Sequence, residues 1–158
     1  MRYHDIVKDD MRNGDGLRVT LFLAGCNHHC PGCQNPITWD PNGGLDFYSD
    51  WTAMWEIIDQ LAEDYISGLT LSGGDPFHPV NRRELLPFVT VLKMAFPDMT
   101  IWCYTGYSLD EIKDEPLTAY CDVIVDGRFK QELADVTYEW AGSTNQNVYR
   151  KTTTWAMK

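Results

Sequence analysis

Two rhythms of apolar residues alternate along the chain, and the alternation predicts its architecture. Residues 17–24, LRVTLFLA, form a continuous apolar run rich in β-branched and aromatic types, which suits a strand covered on both faces. From Asp50 onward, Trp51, Met54, Trp55, Ile58, Leu61, Ala62 and Tyr65 recur at steps of three and four, an amphipathic helix with Ser49 or Asp50 as its cap. ISGLTLS at 66–72 is a second strand that ends at Gly73-Gly74. A second helix is expected from Asn81, with Asn81 and Glu84 pairing as a cap and Leu85, Phe88, Val89, Leu92 and Phe96 on one face, interrupted by Pro87. Residues 99–104 read as a third strand, Ser108 and Glu111 as the capping box of a short helix stopped by Pro116, and CDVIVDG at 121–127 as a fourth strand. Residues 129–158 are polar, with one late strand expected near 147–149.

Strands separated by helices imply an α/β fold with βαβ crossovers and a mostly parallel sheet, whose functional groups gather at the carboxyl ends of the strands. Three unusual stretches lie at such ends: the irregular segment 26–44, crowded with Cys, Pro, Asn and Gly, then Gly73-Gly74, then Thr105-Gly106. No internal repeat, low-complexity run or linker divides residues 1–158, so a single domain is expected.

Composition narrows the setting. The chain has 158 residues, 44% hydrophobic and 23% charged, ordinary for a globular protein. No apolar run approaches the roughly 18 residues that cross a bilayer, and the N-terminal stretch lacks the apolar core of a signal peptide. A cytoplasmic protein with reduced thiols is expected, with no membrane partner. Thirteen basic against twenty-three acidic residues give a formal charge of −10, which repels a phosphate backbone and argues against nucleic acid as a partner.

Against that background the cysteines stand out. Of five, Cys26, Cys30 and Cys33 fall within eight residues as Cys-x3-Cys-x2-Cys. Three thiolates in one short loop can share a metal centre, and thiolates favour zinc or iron–sulfur clusters. A structural zinc site closes with a fourth ligand, for which His28 and His29 are the candidates, although solvated loop side chains describe them as well. Three cysteines without a fourth leave one iron of a [4Fe–4S] cluster open to substrate. Cys103 and Cys121 lie in or beside apolar strands and are expected to be small buried hydrophobes, or redox-active thiols if either approaches the cluster.

The cysteine spacing after one strand, followed by Gly73-Gly74-Asp75-Pro76 after the next, resembles the radical S-adenosylmethionine (SAM) superfamily with its Gly-Gly-Glu-Pro motif. NGDGLRVTLFLAGCNHHCPGCQNP, LSGGDPF, WCYTGY, CDVIVDGRF and GSTNQ are similar to the anaerobic ribonucleoside-triphosphate reductase-activating proteins, over most of the chain. The resemblance implies an open, partial (βα) barrel of radical SAM type. Cys26, Cys30 and Cys33 would hold one [4Fe–4S] cluster, and SAM would contact Gly32, Cys33, Gln34, Gly73, Gly74, Asp75 and Thr105. No catalytic residue is implied beyond the cluster and SAM themselves. Gly32 stands where the superfamily commonly has an aromatic, so adenine contacts from 32–34 would be backbone contacts; Asp75 stands where Glu is common and keeps a carboxylate. The implied activity is reductive cleavage of SAM to a 5′-deoxyadenosyl radical, which takes a hydrogen atom from a glycine of the reductase large subunit. A low-potential electron donor such as a flavodoxin would be the second partner. Trp39, beside the cysteines, is the aromatic expected to touch the partner or shield the radical, whereas Trp51 and Trp55 read as core. Two readings stay open beside this one: an activase or other small radical SAM enzyme with a different target, and a non-catalytic zinc or iron–sulfur module, which would have no use for the Gly-Gly motif.

Overall fold

The computed structural model describes residues 1–152 and 155–157. Among the described residues eight strands form one open sheet: β1 Arg2–Asp10, β2 Leu17–Leu23, β3 Leu45–Asp46, β4 Ile66–Gly73, β5 Thr100–Tyr104, β6 Val123–Asp126, β7 Asn147–Lys151 and β8 Trp155–Met157, ordered β3-β1-β2-β4-β5-β6-β7-β8. Helices α1 Thr52–Leu61, α2 Pro79–Ala95 and α3 Leu109–Ile112 connect the central strands. The four predicted strands β2, β4, β5 and β6 run parallel at the centre. The flanks are antiparallel, so the sheet is only partly parallel, not mostly so. β1 was not expected, because RYHDIVKDD carries no clear alternation; its extended state comes from pairing with β2 rather than from its own pattern.

Alternate residues of the central strands face two different layers. Val19, Leu21, Leu23, Leu69, Leu71, Ile101, Cys103 and Ile124 pack with Ala53, Ile57 and Leu61 of α1 and Leu85, Phe88, Val89 and Leu92 of α2 in the main core. The opposite face carries Trp102, Val123 and Val125 with Val148. It also carries Arg18, fully buried, whose guanidinium donates to Thr70 Oγ1 (2.8 Å), Leu69 O (2.9 Å), Thr100 O (2.7 Å), Thr100 Oγ1 (2.9 Å) and Asp15 O (3.1 Å). Burial pulls its pKa down to about 10. The apolar run of β2 is thus an alternating strand with a polar partner network on one side.

Both long helices start elsewhere than expected. In α1 the Asp50 carboxylate does accept the Thr52 N–H (3.1 Å), but Trp51, at φ 65°, precedes the helix. The buried positions are Ala53, Ile57, Gln60 and Leu61, which leaves Trp51 and Trp55 53% and 58% exposed. They are not core residues. In α2, Pro79 takes the first turn, where a missing N–H costs nothing, and Pro87 is accommodated within the helix. Asn81 is buried inside α2 and caps nothing of its own: its Nδ2 donates to Ala24 O (2.8 Å) and Asp75 O (2.9 Å). Glu84 pairs with the Met1 ammonium. The Ser108–Glu111 box is as expected, with the Glu111 carboxylate accepting the Ser108 N–H at 2.7 Å.

Candidate metal centre and ligand cavity

The cysteine loop leaves the end of β2 and is stitched to the end of β4. Gly74 N–H donates to Leu23 O and Asp75 N–H to Gly25 O, both at 2.8 Å. Side chains would forbid this approach: a Cβ on Gly74 would lie 2.6 Å from Gly25 O, and one on Gly73, at φ 91°, 2.7 Å from Leu23 N. The two glycines therefore let one strand end close on its neighbour. The far side of the loop returns to the same place, where Gly25 N–H donates to Thr38 O (2.8 Å) and Cys26 N–H to Trp39 O (3.1 Å).

Asp75 ties this loop to a third strand end. Its carboxylate is 1% exposed. It accepts Phe77 N–H (2.8 Å), Gly106 N–H (2.9 Å) and the Thr105 hydroxyl (2.9 Å). His28 Nε2 stands 2.9 Å away at ion-pair distance, though not aligned as a hydrogen bond. His28 is not the solvated loop side chain that one reading expected: it is 4% exposed and meets Tyr107 edge-on at 4.5 Å. The Asp75 carboxylate thus serves the protein's own donors, and the Thr105 hydroxyl is committed to it.

Cys26, Cys30 and Cys33 are half-buried free thiols on the wall of a cavity of about 570 Å³, within the usual range for ligand sites. Gln34, Ser72, Gly73, Gly74, Asp75, Thr105 and Gly106 line it too. Gly32 does not: it is exposed, at φ 72°, turned against Gln131. Burial raises the Cys26 and Cys30 thiols above their ordinary pKa, so a positive centre is what would favour their thiolates. Among the described residues, no three His, Cys, Asp or Glu side chains are grouped around a single-ion position; thiolates of a cluster bind separate irons and need not converge. His28 faces Asp75 and Tyr107, and His29 lies against Trp39 at 4.8 Å, so neither turns to the cysteines as a fourth zinc ligand would. Three thiols that line one open cavity are a donor set that suits an iron–sulfur cluster.

Comparison with known proteins supports an iron–sulfur cluster. A family model described as a 4Fe-4S single cluster domain matches residues 12–149. The chain is 45% identical over 154 residues to the anaerobic ribonucleoside-triphosphate reductase-activating protein of Haemophilus influenzae, covering 95% of this chain and 98% of that one. It is 41% identical to the proteins of the same name from Escherichia coli K12, over 94% of this chain and 98% of that one, and from phage T4, over 96% of both. This chain belongs to the family of anaerobic ribonucleoside-triphosphate reductase-activating proteins.

Two further features of this activating-family chain bear on the site. Cys103 and Cys121 are fully buried in the main core, on the helix side of the sheet, and burial raises the Cys103 thiol well above its ordinary pKa. The redox-active alternative for them has no support in that placement. The wall that sequence reasoning missed is the segment after β6: Gly127, Phe129, Val136, Thr137, Tyr138, Trp140, Gly142 and Gln146 all line the cavity, with Arg12 and Asn13 from the β1–β2 turn. The GSTNQ motif was the available signal. Its Gln146 accepts from Gly142 N–H and Ser143 N–H (3.0 and 3.1 Å) and donates to Gly127 O (2.9 Å), which closes the base of that segment. Among the described residues no helix is long and apolar enough to cross a membrane.

Proposed function

We propose that this chain is a radical SAM activase that generates a glycyl radical on anaerobic ribonucleoside-triphosphate reductase, built on an open partial (βα) barrel. The observation that carries the reading is that Cys26, Cys30 and Cys33 line the same cavity as Gly73, Gly74, Thr105 and Gly106 at the ends of β4 and β5. The three cysteines would hold a [4Fe–4S] cluster and the strand ends would seat SAM; together, when bound, these supply the reductive cleavage that yields a hydrogen-abstracting radical.

What the chain itself contributes is position and enclosure. Asp75 fixes the strand ends and holds His28, which sits between the first two cysteines, so the loop geometry is set by a buried carboxylate rather than by the cysteines alone. Because the Gly74 N–H and Thr105 hydroxyl are already used, SAM would meet backbone carbonyls at the strand ends and the side chains of Gln34 and Ser72. Its ammonium group suits those carbonyls. The reductase large subunit is the partner, a low-potential donor such as a flavodoxin supplies electrons, and the cytoplasm is the setting. The test is to incubate the iron-loaded protein with the reductase, SAM and reductant under argon and record the electron paramagnetic resonance spectrum. A glycyl radical that is absent with Cys33→Ala supports the reading; a reductase that stays radical-free with fully loaded wild-type protein contradicts it.

A further inference from the structure

We infer that the outer face of the cysteine loop, Pro31, Gly32, Pro36 and Ile37 with Arg128 and Lys130 beside them, is the docking site of an acidic electron-donor protein. The inference rests on the proposed activase reading, which needs an electron from outside, and adds to it the surface through which that electron enters. The donor is oxidised by one electron and the metal centre held by the three cysteines is reduced by one; no proton or group moves with it. Two observations carry it.

The cysteine loop has two faces. Cys26, Cys30, Cys33, Gln34, Asn35 and Trp39 line the cavity, whereas Pro31, Gly32, Pro36 and Ile37 do not and are exposed. Pro31 and Gly32 form the centre of a turn closed by Cys33 N–H donating to Cys30 O (3.1 Å). Proline at its second position and glycine, at φ 72°, at its third are the residues such a turn selects. The turn puts exposed backbone directly between two of the three thiol-bearing residues. Ile37, on the short 3-10 turn that follows, is 72% exposed.

The charge of this face is opposite to that of the molecule. From Cys26 to Trp39 there is no Asp, Glu, Lys or Arg. The segment after β6 packs against the turn, with Gln131 so close that a Cβ on Gly32 would stand 2.7 Å from its Oε1. In that segment Gly127 and Phe129 line the cavity, whereas Arg128 and Lys130 do not and are exposed. Burial raises the pKa of the Cys30 thiol, and the nearby Arg128 charge opposes it. Among the described residues, ion pairs engage Lys8, Arg82, Arg83, Lys93, Lys113 and Arg150, and no carboxylate lies within ion-pair distance of Arg128 or Lys130. In a chain of formal charge −10, two uncommitted cations beside a neutral loop reverse the local sign.

Such a face attracts an acidic protein while the rest of the surface repels it, which fixes where and in what orientation it docks. A few exposed residues suit the small, short-lived interface of an electron-transfer pair. The face lies outside the cavity, so a donor seated there leaves the cavity open to the reductase.

The experiment mixes the iron-loaded protein with a photoreduced acidic flavodoxin and follows reduction of the centre by stopped flow between about 10 and 100 mM salt, over which the screening length falls from about 30 to about 10 Å. Calorimetry on the same proteins gives the affinity for the oxidised flavodoxin, and dithionite serves as a reductant too small to need docking. Arg128→Ala/Lys130→Ala should be reduced about 10-fold more slowly than wild type at low salt and lose most of the salt dependence. Ile37→Ser should weaken the complex by about 3- to 10-fold. Both variants should accept electrons from dithionite, cleave SAM with it and bind the reductase as wild type does. Variants that match wild type with flavodoxin, a wild-type protein that flavodoxin does not reduce, or variants equally slow with dithionite overturn the docking face. Loss of reductase binding with flavodoxin reduction intact also overturns it and assigns the face to the reductase. Failure of the activase reading is distinguishable, because wild-type protein would then leave SAM intact with dithionite, where docking has no part.

Discussion

Asp75 is the residue whose replacement should be most informative, because its carboxylate answers to three strand ends at once. Asp75→Ala leaves the buried N–H of Phe77 and the partly buried N–H of Gly106 without acceptors, at up to about 1–3 kcal/mol each, whereas the Thr105 hydroxyl can rotate elsewhere. The sum, up to about 2–6 kcal/mol, is a large part of a typical stability of about 5–15 kcal/mol. Asp75→Asn keeps an oxygen for Phe77 and Thr105 but turns an NH2 toward Gly106, so it should lose about 1–3 kcal/mol. Asp75→Glu adds a methylene to a filled site and should cost about 1–3 kcal/mol through overpacking. Urea unfolding of the reduced, iron-free protein measures these terms without the cluster. Iron content after reconstitution measures the second consequence: the Asn variant should load less iron than a remote core variant of equal stability, such as Phe88→Leu, because His28 loses its partner between Cys26 and Cys30. An alanine variant within about 0.5 kcal/mol of wild type, or one that loads iron normally, refutes the claim that this carboxylate organises the site.

Other consequences are as direct. Gly106→Ala places a Cβ about 2.3 Å from the His28 ring, which Tyr107 and Asp75 hold in place, so iron loading should fall while the fold survives, checked by iron analysis and circular dichroism. The double variant Cys103→Ala/Cys121→Ala should retain iron, since both thiols lie in the helix-side core, whereas loss of Cys26, Cys30 or Cys33 should abolish it. Burial pushes the Asp10 carboxyl up, but hydrogen bonds from Thr20, Asn13 and the Arg12 N–H outweigh it and leave the pKa below the ordinary 3.8. Its stabilisation is therefore complete above that value and lost as pH falls through the lower folded one, so Asp10→Asn should flatten the acid limb of a stability-against-pH curve. Trp55→Ser, at an exposed position, should shift stability by no more than about 0.5 kcal/mol.

The central strands and the clustering of Cys26, Cys30 and Cys33 were legible because each has a local signature: apolar runs of strand length, and three thiols within eight residues. What escaped the sequence depends on distant partners. β1 is polar and becomes a strand by pairing with β2. Trp51 and Trp55 matched a helical period, yet the register of α1 on the sheet buries Ala53 and Ile57 instead. Arg18 sits within an apolar run, and only the Thr70, Leu69 and Thr100 oxygens across the sheet explain its burial. Asp75 and the two glycines were legible as a motif, but their function in closing strand ends on each other required the contacts to Gly25 and Gly106. The 127–146 wall has almost no periodic structure, and its one signal, GSTNQ at 142–146, marks a motif without showing that it closes the base of a cavity wall.

The measurement that goes to the centre is anaerobic assay of 5′-deoxyadenosine after the protein, reconstituted with iron and sulfide, is given SAM and dithionite. SAM cleavage is expected with wild type and none with Cys30→Ala. A protein that carries its cluster and leaves SAM intact, or that binds zinc and no cluster, would contradict it.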